Sequence, residues 1–301
     1  MYTPLTERPG NLYRGRFAPS PSGLLHFGSL VTALASFLDA RKNNGTWLVR
    51  IEDIDPPREL AGASGKILKT LEAYGLYWDE SVLYQSKQSE RYLALLNNLH
   101  KSHCCYYCQC TRAKIKAQGG IYQGHCRQLN CAEKNSAIRL LNSHPNYYFT
   151  DIIQGKVKGN KALAEEDFVI HRKDGLFAYQ LAVVSDDIYQ KITHVIRGCD
   201  LLEPTMRQLT LFQTLAKKPP FYGHVPLAVT NAGYKLSKQN NAPAIDTSSP
   251  QASLIAALNF LGQKPESNLI NASVLQIIEW AIYHWEINRV PKSDKIVLSA
   301  Y

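Results

Sequence analysis

The sequence predicts an α/β protein: a parallel sheet covered by helices, interrupted by a cysteine-rich α/β insertion and closed by a small helical cap. Three observations lead to this fold class. Residues 13–51 follow the order strand, loop, helix, strand; six of the seven cysteines lie between Cys104 and Cys131; and the chain after Pro243 has a helical pattern. We expect four segments: a first core half at 11–103, the insertion at 104–180, a second core half at 181–245, and the cap at 246–301.

The first unit is the reason to expect a parallel sheet. Residues 13–18 form a predicted strand and enter a loop rich in Pro, Ser and Gly. The apolar positions of residues 30–38 predict a helix. A buried-looking strand at 47–51 follows and ends on Glu52 and Asp53. This order is typical of a parallel βαβ unit, in which ligands bind at the carboxyl ends of the strands.

The remaining elements follow from the same periodicities. Helices are predicted at 64–75, 88–101, 204–216, 252–261 and 273–285. Short strands are predicted at 137–141, 147–153, 168–172, 177–184, 192–196 and 224–230. Lys173-Asp174-Gly175 favours a hairpin turn. We expect the tail after the last helix to be irregular.

Composition and charge narrow the class of protein. The chain has 301 residues and a formal net charge of +9, with 45% hydrophobic and 20% charged residues. These values are ordinary for a folded protein and exclude a disordered chain or a disulfide-stapled scaffold. Residues 100–140 hold seven basic residues against Glu133 alone. A positive net charge favours an anionic partner, such as nucleic acid or a phosphorylated ligand.

The cysteines are expected to bind a metal. No stretch approaches the roughly 20 apolar residues of a membrane span, and the N-terminal residues lack the apolar segment of a signal peptide. We therefore expect a cytoplasmic protein with no membrane partner, in which thiols remain reduced. Clustered cysteines in a reducing compartment indicate a metal site before a disulfide.

Two loops have the composition of phosphate-binding sites. The first runs from Arg16 through the Pro- and Gly-containing turn to His26, Gly28 and Ser29, which open the first helix. A helix N-terminus presents unpaired N–H groups to an anion. The alternative is a Pro-rich turn in which Ser22 or Ser29 caps the helix. The second loop contains the residues Lys235, Ser237 and Lys238, for which the alternative is a solvated basic loop.

Together these loops resemble the paired ATP signatures of class I aminoacyl-tRNA synthetases. Three further runs resemble the glutamyl branch, at residues 49–55, 182–187 and 195–202. The resemblance extends from about residue 13 to about residue 245, with five motifs in order. It implies a Rossmann-type catalytic core that activates glutamate with ATP.

The resemblance also implies residue roles. His26, Lys235 and Lys238 would stabilise the phosphates during catalysis, and Gly28, Ser29 and Ser237 would complete the ATP site together with Mg²⁺. The implied glutamate site consists of Arg16, Phe17, Ala18, Pro19, Ser20, Glu52, Tyr179 and Arg197. Arginine suits carboxylate binding, and a glutamate substrate has two carboxylates. For Arg197 and Glu52 the alternative is an internal structural ion pair.

The cysteine-rich segment resembles the zinc site of the glutamyl-Q tRNA(Asp) synthetases. The ligands implied by that family are Cys108, Cys110, Tyr122 and Cys126. A thiolate-rich tetrahedral site is typical of a structural Zn²⁺. On general chemical grounds His125 is an alternative to the phenolate ligand.

The number of residues after the second loop bears on which tRNA accepts the glutamate. About sixty residues follow Lys238, fewer than the anticodon-binding domain of a glutamyl-tRNA synthetase requires. We therefore expect a monomer that transfers glutamate to the queuosine base of tRNA(Asp), an acceptor that follows only from the resemblance. The alternatives are a truncated glutamyl-tRNA synthetase that charges tRNA(Glu) and a non-catalytic, zinc-bearing RNA-binding paralogue.

Overall fold

The computed structural model describes residues 13–231 and 243–298. Within these residues the strands are β1 Arg14–Phe17, β2 Thr46–Ile51, β3 Leu83–Tyr84, β4 Cys105–Cys108, β5 Ala137–Leu140, β6 Tyr148–Asp151, β7 Gly155–Lys158, β8 Val169–His171, β9 His194–Gly198, β10 Phe221–Val225, β11 Leu227–Val229 and β12 Lys295–Val297. The helices are α1 Phe27–Lys42, α2 Ala63–Ala73, α3 Ser89–Lys101, α4 Arg112–Ala117, α5 Lys161–Glu165, α6 Tyr179–Tyr189, α7 Leu202–Thr214, α8 Pro250–Phe260 and α9 Val274–His284.

The core is a parallel sheet made of two adjoining parts. One part has the order β1-β2-β3, and the other has the order β7-β6-β10-β9, in which only β7 is antiparallel to its neighbour. The backbone N–H of Thr193, just before β9, donates to the carbonyl of Arg14 in β1 at 2.9 Å. The two parts therefore lie edge to edge, and the carboxyl ends of β1, β2 and β9 meet. The predicted parallel α/β fold is confirmed.

Helix α1 is the central packing element of this core. It is apolar on most of its surface, because it packs against β1, β2 and β9 on one side and against α8 and α9 on the other. Phe37 and Trp47 meet edge to face with ring centroids 5.1 Å apart. The predicted helical cap therefore shares the main hydrophobic core with the first βαβ unit.

The insertion contains its own antiparallel sheet, with the order β4-β5-β8. Its apolar residues pack with α3, α6 and α7 in a second core. The predicted turn at 173–175 is confirmed, since the N–H of Arg172 donates to the carbonyl of Leu176 at 2.8 Å.

Three secondary-structure predictions are wrong. The expected strand at 177–184 is the start of helix α6, in which residues 180–187 are all buried. A segment buried on every side has no amphipathic period, so its sequence does not separate strand from helix. The expected strand at 224–230 is divided at Pro226, which has no N–H to donate. The tail is not irregular, because β12 pairs in parallel with β11.

Across the two described ranges, no helix combines the length and the apolar character that crossing a bilayer requires.

Candidate active site

A cavity of about 490 Å³ lies where the carboxyl ends of β1, β2 and β9 meet the N-termini of α1 and α6. Each of these elements contributes to its wall because parallel strands all end at one edge of the sheet. The structure brings together here all eight residues of the implied glutamate site and three of the implied ATP site: Arg16, Phe17, Ala18, Pro19, Ser20, Glu52, Tyr179 and Arg197, with His26, Gly28 and Ser29.

Arg197, at the end of β9, is buried and held by several acceptors. Its Nε donates to His224 Nε2 at 3.1 Å, and its Nη2 donates to Thr205 Oγ1 at 2.6 Å and to Gln208 Oε1 at 2.8 Å. Its Nη1 is buried and has no hydrogen-bond partner within the protein. Since Arg197 lines the cavity, Nη1 is the donor that remains for a ligand.

Glu52, directly after β2, supplies an acceptor in the same cavity. Its Oε1 is buried without a hydrogen bond and lies 3.5 Å from Arg50 Nη2. The ion pair of Glu52 is therefore formed with Arg50, and the alternative of a structural pair with Arg197 is not what the structure shows. Burial raises the pKa of the Glu52 carboxyl, although Arg50 and Arg16 oppose this shift.

Arg16 is held in place by a carboxylate that lies behind the cavity. Its Nε and Nη2 donate to the two carboxylate oxygens of Asp187 at 3.3 and 3.4 Å. Asp187 also accepts a bond from Arg50 Nη1 at 2.7 Å. Burial raises the pKa of the half-buried Tyr179 hydroxyl, and Glu52 adds to the shift. Tyr179 therefore stays protonated and can donate a hydrogen bond.

His26 is the N-cap of α1. Its Nδ1 accepts the backbone N–H of Ser29 at 3.3 Å. The alternative caps, Ser22 and Ser29, are therefore wrong. In a neutral imidazole whose Nδ1 accepts, Nε2 carries the proton and is a donor, which suits an anion at the helix N-terminus. The other predicted phosphate-binding residues, Lys235, Ser237 and Lys238, lie outside the described residues.

A second, larger cleft of about 1200 Å³ adjoins the cavity and shares Ser20, Ser22, Glu52 and Tyr179 with it. Its walls come from the core and from the insertion. The basic side chains that line it are Arg58, Arg112, Arg139, Arg172 and Lys173. This cleft connects the cavity to the insertion.

The cysteine cluster lies in the insertion. Among the described residues the Sγ atoms of Cys108, Cys110 and Cys126 lie within 4.8 Å of one another. The hydroxyl of buried Tyr122 accepts the N–H of Cys126 at 2.7 Å, whereas His125 is exposed. Although burial opposes the shift, hydrogen bonds from the Gln109 backbone and from Tyr122 lower the pKa of Cys126 to about 7. A thiol that ionises near neutral pH is a good metal ligand.

Sequence reasoning missed the residues behind the cavity. Arg50 and Asp187 lie in the two runs that carried the resemblance, but the sequence alone assigned them no role. The signal that could have found Arg50 and Asp187 is the presence of two or more charged residues beside buried apolar residues in each of these runs. His224 and Gln208 carry no such local signal.

Comparisons with known proteins agree with this geometry. Residues 13–268 match the family model described as tRNA synthetases class I (E and Q), catalytic domain. A glutamyl-Q tRNA(Asp) synthetase from Colwellia psychrerythraea is 62% identical over 304 residues, covering 97% of this chain and 96% of the relative. One from Escherichia coli is 54% identical over 281 residues, covering 93% and 91% of the two chains.

The solved structures give the same result. The crystal structure of a glutamate-tRNA synthetase from Elizabethkingia anophelis superposes with a TM-score of 0.79 at 26% identity, covering 96% of this chain and 68% of that one. The resemblance noted in the sequence is confirmed. The chain belongs to the glutamyl-Q tRNA(Asp) synthetase family, within the class I tRNA synthetases (E and Q).

Proposed function

We propose that the protein activates L-glutamate with ATP, without tRNA, and then transfers the glutamyl group to the queuosine base at the wobble position of tRNA(Asp). One observation carries the first step: a single cavity offers a buried acceptor, Glu52 Oε1, and a buried donor, Arg197 Nη1, neither of which has a hydrogen-bond partner among the described residues of the protein. An amino acid supplies the complementary ammonium and carboxylate groups. The acceptor tRNA is supported by the names of the relatives.

In the proposed binding mode, Glu52 accepts from the substrate ammonium group. Arg16, Arg197 and Tyr179 donate to its carboxylates. Arg16 and Arg197 are already held by buried partners, so little ordering of these two side chains is needed when the substrate binds. Residues 17–20 form a further part of the wall against which the substrate lies.

In the activation step, a carboxylate oxygen of glutamate bonds to the α-phosphorus of ATP, the bond to the bridging oxygen of the β-phosphate breaks, and pyrophosphate leaves. His26, Lys235 and Lys238 donate to the phosphate oxygens that gain charge, and Gly28, Ser29 and Ser237 line the ATP site. Mg²⁺ bound together with ATP would neutralise phosphate charge. In the transfer step, a hydroxyl of the acceptor base bonds to the glutamyl carbonyl carbon and loses its proton to solvent, and AMP leaves with the electron pair of the broken bond.

The adjoining cleft is the proposed path of the acceptor. Arg58, Arg112 and Lys173 are exposed along it. Basic side chains bind the phosphate backbone and fix its register. A nucleoside that enters this cleft reaches Ser20, Glu52 and Tyr179, which also line the glutamate cavity.

We also propose one structural Zn²⁺ held by Cys108, Cys110, Tyr122 and Cys126. The fit rests on the donor set: three cysteine sulfurs, of which Cys110 and Cys126 lie 3.6 Å apart, and the phenol oxygen of Tyr122, which accepts the N–H of Cys126. Tetrahedral Zn–S bonds of about 2.3 Å place sulfurs at similar separations. The division into two core halves, an insertion and a cap, a monomeric state and a cytoplasmic location belong to the same proposal.

Two assays test the proposed function. Pyrophosphate exchange into ATP should depend on L-glutamate and proceed without tRNA. Labelled glutamate should then be incorporated into tRNA(Asp) that contains queuosine, and not into tRNA(Asp) lacking the modification or into tRNA(Glu). Incorporation into tRNA(Glu) alone would show a truncated glutamyl-tRNA synthetase. RNA binding without any exchange would show a non-catalytic paralogue.

A further inference from the structure

Three buried polar residues lie side by side on three neighbouring parallel strands beneath the candidate active site. Asp151 ends β6, His224 lies in β10, and Arg197 lies in β9 directly opposite His224 in the strand register. Their exposed fractions are 2%, 0% and 2%. Burial of three ionisable side chains in a row requires that each finds a partner among the others.

The hydrogen bonds form one continuous chain. His224 Nδ1 lies 2.6 Å from Asp151 Oδ2, and His224 Nε2 accepts Arg197 Nε at 3.1 Å. Asp151 is fixed at its other oxygen, which accepts the backbone N–H groups of Ile153 at 2.9 Å and Gln154 at 2.8 Å. The carboxylate is therefore anchored to the backbone, and the chain runs from it to the cavity.

The donors in this chain determine the protonation of His224. A guanidinium has donors and no acceptor, so His224 Nε2 must be the unprotonated nitrogen. The ring proton is then on Nδ1 and is donated to Asp151. The Thr205 hydroxyl also lies 3.2 Å from His224 Nε2, but it does not alter this assignment, because it donates to the carbonyl of Leu201 at 2.7 Å and accepts from Arg197. Burial also lowers the pKa of His224, which favours the neutral ring.

We propose that Asp151 and His224 are positioning residues of the glutamate site. They hold the Nε edge of the Arg197 guanidinium, so that only Nη1 is directed at the substrate carboxylate. This inference rests on the proposed function, because it takes L-glutamate as the ligand of Arg197. Thr205 and Gln208 occupy Nη2 in the same way. Arg197 thus reaches the cavity in one orientation, with its other donors already satisfied.

The loss of His224 should weaken glutamate binding specifically. Without the Nε2 acceptor, Arg197 Nε becomes a buried donor without a partner, and the guanidinium turns away from the cavity to satisfy it. A buried unsatisfied donor corresponds to a weakening of binding by about 10- to 100-fold. The described residues of the proposed ATP site, His26, Gly28 and Ser29, lie at the N-terminus of α1 and not on β9 or β10, so ATP affinity should stay within about twofold.

Calorimetric titration of L-glutamate into the full chain tests this inference. His224→Phe keeps a ring and removes the acceptor, so its Kd should rise by about 10- to 100-fold. His224→Gln retains an amide oxygen that can accept from Arg197, and it should recover part of the loss. His194→Gln is the matched control, since this histidine begins the adjoining strand β9 and stacks on Tyr13 away from the cavity.

Equal affinity of the wild type and the His224→Phe variant would overturn the positioning role. If the wild type itself binds no L-glutamate, the proposed function fails, and this outcome is distinct. If the variant does not fold, ¹⁵N spectra of the histidines in the wild-type protein test the inference, because they show which ring nitrogen of His224 carries the proton. We expect His224 to show a protonated Nδ1 and an unprotonated Nε2 between pH 6 and 8; a proton on Nε2 would overturn the inference.

Discussion

Five charged side chains form one cluster at the cavity and directly behind it: Arg16, Arg50, Glu52, Asp186 and Asp187. Arg50 is fully buried and pairs with Asp187 at 2.7 Å and with Glu52 at 3.5 Å. Asp186 accepts from Tyr92 at 2.8 Å and from Arg91 at 2.6 Å. Buried charges persist only when they are paired in this way. Glu52 is the member whose Oε1 lacks a hydrogen bond, so it is the one that a substrate completes.

The raised pKa of Glu52 predicts how glutamate binding depends on pH. Burial raises this pKa above its usual range, and only the ionised carboxylate attracts the substrate ammonium. As the pH falls through the raised pKa, Glu52 takes up a proton, and the Kd for L-glutamate should rise by about tenfold per pH unit. Calorimetry between pH 5 and 8 measures this.

Two variants complete the test of Glu52. Glu52→Gln should bind L-glutamate weakly and with little pH dependence over the same range. Asp53→Asn is the control, because Asp53 bonds to Ser86 and does not line the cavity. A flat pH profile for the wild type would contradict a charged role for Glu52.

At the scale of elements, the cysteine cluster joins three parts of the insertion. Cys108 ends β4, Cys110 precedes α4, and Cys126 lies in the following loop. Arg139 of β5 connects them: its Nε donates to Cys108 Sγ at 3.2 Å, and its guanidinium lies 3.8 Å from the centroid of the Tyr122 ring. Because the loops contribute few other buried contacts, a metal at this cluster would tie them to the sheet.

Cys108→Ser should therefore abolish zinc binding and loosen the insertion. We expect elemental analysis to find about one zinc per wild-type chain and less than a tenth of that in the variant. Hydrogen exchange should accelerate in the loops between β4 and β5. Cys104→Ser is the control, because this half-exposed thiol bonds to the carbonyl of Ser102 and lies outside the cluster. Full zinc retention in Cys108→Ser would show that the zinc site lies elsewhere in the protein.

At the scale of the whole molecule, the C-terminal helices are part of the catalytic core. Trp285, at the end of α9, is buried, and its Nε1 donates to Asp39 Oδ1 of α1 at 3.0 Å. The other oxygen of Asp39 accepts the hydroxyl of Tyr13 at 2.5 Å. One buried carboxylate thus connects the residue before β1, the central helix and the cap, so these three parts should unfold together.

Trp285→Ala should lower the free energy of unfolding by about 3–5 kcal/mol, because it leaves a cavity and removes a donor from buried Asp39. Urea denaturation monitored by circular dichroism measures the change. Trp285→Phe retains most of the packing and loses the donor alone, so its cost should be about 1–3 kcal/mol. A variant that melts the cap separately, with the core transition unchanged, would show that the cap is an independent unit.

The order of the first βαβ unit, the helices of the cap and the position of the cysteine cluster were all predictable from the sequence. These features depend on side-chain period and on spacing along the chain, which are local properties. The residues that line the cavity were also predictable, because the resemblance named them; most lie at or just after the ends of predicted strands, whereas Tyr179 begins helix α6. Helix α6 was not predictable from the sequence, since a segment that is buried on every side has no amphipathic period.

What the sequence by itself determined is the set of residues that line the cavity and the strands that bring most of them to one edge. Only the tertiary structure decided which partners hold them. Asp187 reaches Arg16 across 171 positions in the chain, and His224 reaches Arg197 across 27. Such pairs form because buried polar groups must be satisfied wherever the fold places them. Their identity therefore depends on which strands become neighbours, and no local pattern in the sequence records that choice.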